Sequence, residues 1–249
     1  MTRIFLYPYG PSNSARAIID EVDGWLIKRV NSKYVQKPKD LVINWGSKDA
    51  PFINCLNRPS AVTIARSKLA TFRKLRDWKV PTLEFTCNQD EAEHWGRDSR
   101  IFGRDLDNGQ GGSGITVYES GDLIGHHLFY TRYFRKQREF RVHVYRDRVI
   151  CTSEKKRING HENIHKYIRS HKRGWVFAFN CLKDNPVPPE VEATAIRAIE
   201  ALGLDFGGVD VGWHDKNGVV IFEVNTAPGL EATTLKKYGE LFTTLVKGL

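Results

Sequence analysis

The segment 207–229, GGVDVGWHDKNGVVIFEVNTAPG, constrains this chain more than any other, because a few residues fix a geometry. Two runs, 206–214 and 218–224, are rich in Val, Ile, Phe and Trp, and the polar tetrad Asp215, Lys216, Asn217, Gly218 marks the break between them. That pattern predicts a β-hairpin. Two registers are open. With Asn217 and Gly218 as the central turn residues, Asp210 lies opposite Asn225; a turn centred on Lys216 and Asn217 sets Asp210 opposite Glu223. Either register puts Asp210, Glu223 and Asn225 on one face, because strand side chains alternate with period two. Two carboxylates and an amide on an otherwise apolar hairpin are costly to bury with nothing bound. A hard cation with oxygen ligands, Mg²⁺ above all, suits these donors. Without a cation they are polar groups at a sheet edge, satisfied by water and by the loop 226–229.

A second constellation is RDLDNGQGGSGI, 104–115, with four glycines in six residues between two predicted strands. Glycine tolerates positive φ and lets backbone N–H groups approach phosphate oxygens, so the loop suits a phosphate lid as well as a plain hairpin turn. It is not a P-loop, since no GK[ST] follows and no helix opens there.

Around these motifs the chain alternates strands and helices. Strands are expected at 3–7, 25–29, 41–45, 82–86, 100–104, 115–118, 126–134, 139–145 and 149–155. Helices are expected at 13–22 behind Ser12 or Asn13, at 65–77 with Leu69, Phe72 and Leu75 in phase, at 188–202, and at 234–246. The fold class is α+β or α/β, of several lobes. The chain has 249 residues, 41% of them hydrophobic and 27% charged, which is ordinary for a globular protein with a sizeable core. No apolar run approaches the ~20 residues a membrane span needs, and the first residues do not read as a signal peptide, so a cytoplasmic protein is expected. Cys55, Cys87, Cys151 and Cys181 form no CxxC pair and read as ordinary half-buried thiols rather than zinc ligands or disulfides. The net charge of +9 concentrates in 131–141, 154–157 and 165–173. That basicity suits a triphosphate and an anionic acyl group, or a single-stranded nucleic acid in a basic groove.

The hairpin with its following Pro-Gly turn resembles the metal-binding end of the ATP-grasp ligases. The likeness is greatest to the ribosomal-protein glutamate ligases and to short ATP-grasp proteins of bacteriophages, with D-alanine:D-alanine ligases further away. In that family an Asp on one strand, and a Glu and an Asn two apart on the next, hold the Mg²⁺ ions of MgATP. The resemblance runs from Lys68 to the C-terminus. It implies an N-terminal α/β lobe at 1–62, a central lobe with the lid at 63–131, and a C-terminal lobe with the metal site at 132–249, the last two enclosing ATP.

It further implies that Lys68 and Arg104 bind phosphates together with Gly111, Gly112 and Gly114, Arg104 standing where the family usually has Lys. Arg132, Tyr133 and Phe134 match the adenine hinge, with Arg132 where Glu is common. Asp210, Glu223 and Asn225 match the ligands of two Mg²⁺ ions, which Mn²⁺ can replace. Arg141, Lys156, Arg157 and Arg169 fall at or near the positions that meet the γ-phosphate and an acyl phosphate. Gly208 stands where D-alanine ligases carry an Arg, which leaves the transition-state charge to Arg141 or Arg169. The implied activity joins a carboxylate, an amino acid or peptide, to an amine through an acyl phosphate, releasing ADP and phosphate. A nucleic acid or modified nucleotide stays open as acceptor. Rival readings are an ATP-grasp small-molecule kinase, an ATP-binding module without turnover, and a nucleic-acid-binding protein.

Overall fold

The computed structural model describes residues 3–52, 54–109, 111–160, 162, 167–169 and 173–248. The N-terminal unit begins with β1 (Arg3–Pro8), followed by α1 (Asn13–Val22), β2 (Trp25–Leu26) and β3 (Asp40–Trp45). These strands form a parallel sheet in the order β2-β1-β3. Helix α1 starts where Ser12 accepts the Ala15 N–H, buries Ala15, Ile18 and Ile19, and stops at Asp23 in the left-handed region. The strand expected at 25–29 is only two residues long.

Two consecutive helices, α2 (Pro59–Arg66) and α3 (Lys68–Asp77), lead into a second sheet. It contains β4 (Phe85–Thr86), β5 (Ile101–Arg104), β6 (Ile115–Tyr118) and β7 (Phe129–Arg132), with α4 (Gln89–Gly96) between β4 and β5. Its order is β4-β7-β5-β6, all antiparallel. The strand expected at 82–86 shrinks to its last two residues and that at 126–134 to its central four, and Thr82 makes only an isolated bridge to Ile221.

The third sheet holds β8 (Arg138–Tyr145), β9 (Arg148–Arg157), β10 (Trp175–Ala178), β11 (Phe206–His214) and β12 (Gly218–Asn225) in the order β10-β9-β8-β11-β12, all antiparallel. Helix α5 (Pro189–Leu202) precedes β11, and α6 (Ala232–Lys247) follows β12. Proline opens α5, and Gly203, at φ 67°, closes it in a conformation costly for a residue with a Cβ.

Period-two alternation gives this sheet two unlike faces. On one, Phe140, Val142, Val144, Val209, Val211 and Ile221 are fully buried against Val191, Ala195, Ala198, Ile199 and Leu202 of α5 and against α2. Each large aliphatic or aromatic side chain so buried contributes roughly 1.5–3 kcal/mol. The other face is covered over part of its area by α6, where Tyr238 and Phe242 pack with Trp45 and Phe206. The uncovered remainder carries charge.

The lobe boundary expected between 62 and 63 falls inside α2, and that between 131 and 132 falls inside β7. Ala61, Val62 and Ala65 of α2 and Leu75 of α3 belong to the core of the third sheet, so the sequence boundary separates residues that fold together. All four cysteines are free, three half-buried and Cys87 exposed rather than half-buried. Among the described residues no helix is long and apolar enough to cross a membrane.

Candidate active site

The hairpin adopts a three-residue turn, Asp215 to Asn217, with His214 opposite Gly218, and then shifts register between Asp210 and Val211. The shift makes Phe222 an extra residue in β12. Beyond it Asp210 lies opposite Glu223 and Gly208 opposite Asn225. The register at the site is therefore the second of the two the sequence left open, reached through a bulge rather than through a turn centred on Lys216 and Asn217. A bulge turns neighbouring side chains toward the same side, and Phe222 and Glu223 both line one cavity.

That cavity, about 570 Å³, lies over the charged face of the third sheet, and Phe102, Arg104, Gly109, Gly111 and Gly112 of the second sheet and its loop line it as well. Seven cationic side chains line it against four carboxylates. Arg141 on β8 clamps Asp210 with two hydrogen bonds, Nε to Oδ1 at 2.6 Å and Nη2 to Oδ2 at 2.8 Å. Lys155 on β9 donates to Glu139 at 2.6 Å and reaches within 3.8 Å of Asp210. Lys136 pairs with Glu139 at 2.7 Å, and Arg169 approaches the same carboxylate at 3.6 Å. Lys68, at the start of α3, donates to Glu223 at 3.2 Å, and the Asn225 amide donates to the other Glu223 oxygen at 3.1 Å.

The electrostatics follow from burial and from these neighbours. Burial alone would raise the Glu223 carboxyl, but Lys68 and Arg141, with help from Asn225 and Lys155, hold it at about 2. Burial likewise opposes ionisation of Glu139, yet Lys136 and Lys155 hold it at about 2. For Asp210 burial prevails and the carboxyl is pushed up despite Arg141 and Lys155. Burial lowers the Arg104 guanidinium to about 10, and Glu223 counteracts it only in part. Among the described residues Arg104 forms no ion pair; its Nε donates to Thr131 Oγ1 at 3.3 Å. A desolvated cation without a carboxylate partner fits a phosphate oxygen.

The donors also fit a divalent cation. Among the described residues no three His, Cys, Asp or Glu side chains gather as a metal cluster. Asp210 and Glu223 nevertheless face each other across β11 and β12 with Asn225 beside them. An amide oxygen completes this set, and Mg²⁺ characteristically keeps water or phosphate in its remaining positions. The Asp210 carboxylate, whose ionisation burial opposes, would be stabilised by a nearby divalent cation.

The loop after β5 forms the roof. Gly111, Gly112 and Gly114 have φ of 61°, 89° and 66°, and the Asp105 N–H donates to the Gly114 carbonyl to close the loop. Gly111 and Gly112 line the cavity and Gly114 does not; it packs on Leu106. Asp107 ties the loop to α3: its carbonyl accepts the Lys68 N–H at 3.0 Å, and its Oδ1 accepts the Leu69 N–H at 2.8 Å. If this loop is a lid, limited proteolysis of the free protein should cut within 109–114, and MgATP should slow the cleavage. Cleavage indifferent to nucleotide would make it a hairpin turn only.

Arg132, Tyr133 and Phe134 all line the cavity. Two of the hinge N–H groups are already engaged, Arg132 with the Glu84 carbonyl and Tyr133 with the Arg100 carbonyl. The Arg132 side chain turns to Asp98, Glu84 and Ser99. Apolar walls come from Leu83, Phe102, Phe134 and Phe222.

Two expected residues stand elsewhere. Lys156, expected to meet the reacting phosphate, points to the opposite face of β9, where it pairs with Glu154 at 2.7 Å. Arg157 is exposed at the end of β9 against the Trp175 ring. Phe140 lies opposite Glu154 in register, so alternation along β9 sends Lys155 into the cavity, where it meets Glu139, and Lys156 away from it. Lys136, Glu139 and Lys155 were missed in the sequence; period-two counting from Arg141 along β8 would have found Glu139. In the basic stretch 131–141, Arg132, Lys136, Arg138 and Arg141 are in ion pairs, and Arg135 is exposed with no ion pair among the described residues. His165, Lys166, Ser170, His171 and Lys172 of the other basic run, and Gln110 of the loop, lie outside the described residues.

A second compartment of about 580 Å³ shares Ser14, Lys68, Gly111, Phe222, Glu223 and Gly229 with the first. It continues past Asn225 to Tyr9, Ser12, Asn13 and Arg66. A charged cleft under a glycine loop thus opens into a polar chamber beneath the N-terminal unit.

Residues 131–247 match the family model for the D-ala D-ala ligase C-terminus. D-alanyl-alanine synthetase A from Vibrio cholerae superposes over 99% of this chain and 98% of that one, with a TM-score of 0.68 at 16% identity. The chain has the ATP-grasp fold. The ATP-grasp ligase PsnB, in complex with minimal precursor, Mg and ADP, superposes over 98% of this chain and 97% of its own, with a TM-score of 0.67 at 12% identity. A probable alpha-L-glutamate ligase of Alcanivorax borkumensis is 47% identical over 45 residues, which is 18% of this chain and only 15% of that protein. One of Mannheimia succiniciproducens is 24% identical over 242 residues, 91% of this chain and 76% of that protein.

Proposed function

We propose that this chain is an ATP-dependent carboxylate-amine ligase working through an acyl phosphate. The observation that carries the reading is the single charged face on which Asp210, Glu223 and Asn225 stand beside Arg141 and Lys155, under a glycine loop and open to a second chamber. The match to a D-ala D-ala ligase C-terminal model and the likeness to glutamate ligases support the same class, and PsnB holding Mg and ADP supports the cofactors.

Lys68, Arg104 and the loop N–H groups would hold the ATP phosphates, with the base between Phe102, Phe134 and Phe222 beside the hinge. Asp210, Glu223 and Asn225 would hold Mg²⁺, as two ions or with Mn²⁺ in their place, which when bound would supply positive charge against the phosphates. A carboxylate oxygen of the first substrate attacks the γ-phosphorus and ADP leaves. An amine then attacks the acyl carbon, phosphate departs and the nitrogen loses a proton. Arg141 and Lys155 stabilise the charge that builds on the acyl phosphate, and the closed loop excludes water from it. No side-chain nucleophile is needed.

The test is product chemistry. A ligase of this kind releases ADP rather than AMP, and phosphate appears in step with the amide once both substrates are present. With the carboxylate alone, hydroxylamine should trap the acyl group as a hydroxamate. A phosphorylated product that accumulates and resists hydroxylamine identifies a kinase instead, and AMP formation rules out the acyl-phosphate route.

A further inference from the structure

Residues 24–39, GWLIKRVNSKYVQKPK, contain Lys28, Arg29, Lys33, Lys37 and Lys39 and no acidic residue. All five cations are exposed, and none appears among the ion pairs of the described residues. Large apolar side chains are interleaved with them and face solvent: Trp25 is 50% exposed, Val30 73% and Val35 78%. Beyond Leu26 the stretch has no helix or strand until β3. It is held by its ends and middle. Ile27 donates to the Leu6 carbonyl, the Tyr34 ring packs on Phe5 at 4.3 Å while its hydroxyl donates to Asp40, and the Lys37 N–H donates to Asp40.

The stretch also adjoins the second chamber. The Arg29 guanidinium donates to the carbonyl of Tyr9, and Tyr9 lines that chamber with Ser12, Asn13 and Arg66. A chain lying along residues 24–39 therefore has its path into the site past Tyr9.

We propose that residues 24–39 are the docking surface for an acidic polypeptide, which delivers the group to be ligated into the chamber behind Tyr9. This rests on the ligase reading above and adds the class of its macromolecular substrate. Charge complementarity selects an anion: a run of cations without an intervening acid sums to a field that steers and retains a negative chain. The apolar component selects a peptide over a nucleic acid. Bases bind single-strand platforms by stacking on several exposed rings. Here Trp25 is the one exposed aromatic ring of the stretch, Tyr34 being committed to Phe5 and Asp40. Leu26, Val30 and Val35 offer no ring but suit aliphatic side chains spaced between acidic ones.

The experiment measures fluorescence anisotropy, without ATP, of a fluorescein-labelled peptide in which Glu alternates with Leu and Val. Its Gln counterpart, a single-stranded oligothymidine and phosphatidylserine vesicles serve as competing ligands. The combined charge reversal Lys28→Glu, Lys33→Glu, Lys37→Glu and Lys39→Glu should weaken binding of the acidic peptide about tenfold or more and flatten its salt dependence. Val30→Ser with Val35→Ser should weaken it several-fold without changing the salt dependence. MgATP affinity should be unchanged in both variants, and thermal melting checks their fold. Should the charge reversal lower the melting temperature, Lys28→Gln with Lys33→Gln carries the same test. Equal affinity of wild type and charge-reversed protein for the peptide overturns the proposal, as does tighter binding of the oligothymidine or the vesicles. Because binding is read without nucleotide, failure of the ligase chemistry leaves this result interpretable by itself.

Discussion

Glu223→Gln should reduce ATP turnover to less than about a tenth of wild type, because loss of transition-state charge stabilisation costs several kcal/mol. The fold should survive. Glu223 sits at the cleft with about a third of its side chain exposed, and its partners are Lys68 at 3.2 Å and the Asn225 amide. Glutamine keeps the shape and an acceptor oxygen while removing the charge a divalent cation needs. Steady-state ADP release read beside a thermal melt separates the two effects. A variant that melts normally and keeps more than about a tenth of its turnover would remove the metal assignment.

Lys155→Met and Lys156→Met should differ by about two orders of magnitude in kcat, although the residues are neighbours in sequence. Lys155 is buried beneath the cleft between Glu139 and Asp210, so its loss removes a desolvated cation from the reacting centre, an effect of roughly 10²–10³ in rate. Lys156 is 42% exposed on the other face, away from the cleft, and its buried partner Glu154 keeps Arg138 at 2.8 Å when Lys156 is lost, so turnover should hardly change. Turnover at saturating ATP measures both. Equal losses would mean that β9 is not held in the pairing with β8 that turns Lys155 inward.

The hairpin, α5 and α3 are legible because each satisfies a local rule: alternation on both sides of a polar turn, apolar residues at helical spacing in both helices, and in α5 proline and glycine at the ends. The register at Asp210 was not, since it depends on the extra residue Phe222, and nothing local in VVIFEV says which residue the ladder will skip. Helix α4 escaped notice for a different reason. Its sequence, QDEAEHWG, buries only Ala92 and Gly96 and so shows no stripe, although Asn88 caps it and Asp90 and Glu91 sit in its first turn. Strand β10 is a four-residue edge, too short for periodicity to register. Lys136, Glu139 and Lys155 escaped because a buried ionic network joins adjacent strands and the segment before β8 in space, whereas the basic runs in the sequence suggested an exposed groove.

Asp107 joins the glycine loop to the first turn of α3, its carbonyl and its side chain accepting the N–H groups of Lys68 and Leu69. Loop and helix therefore share one set of restraints, and free energy gained at either is felt at both by reciprocity. Under the proposed function, a phosphate held by Lys68 would steady the loop base, and a loop settling over nucleotide would fix the lysine's rotation. Drift in the loop sequence is thus bounded by a helix that holds the loop through Asp107: a change at position 107 should alter nucleotide affinity from outside the cleft.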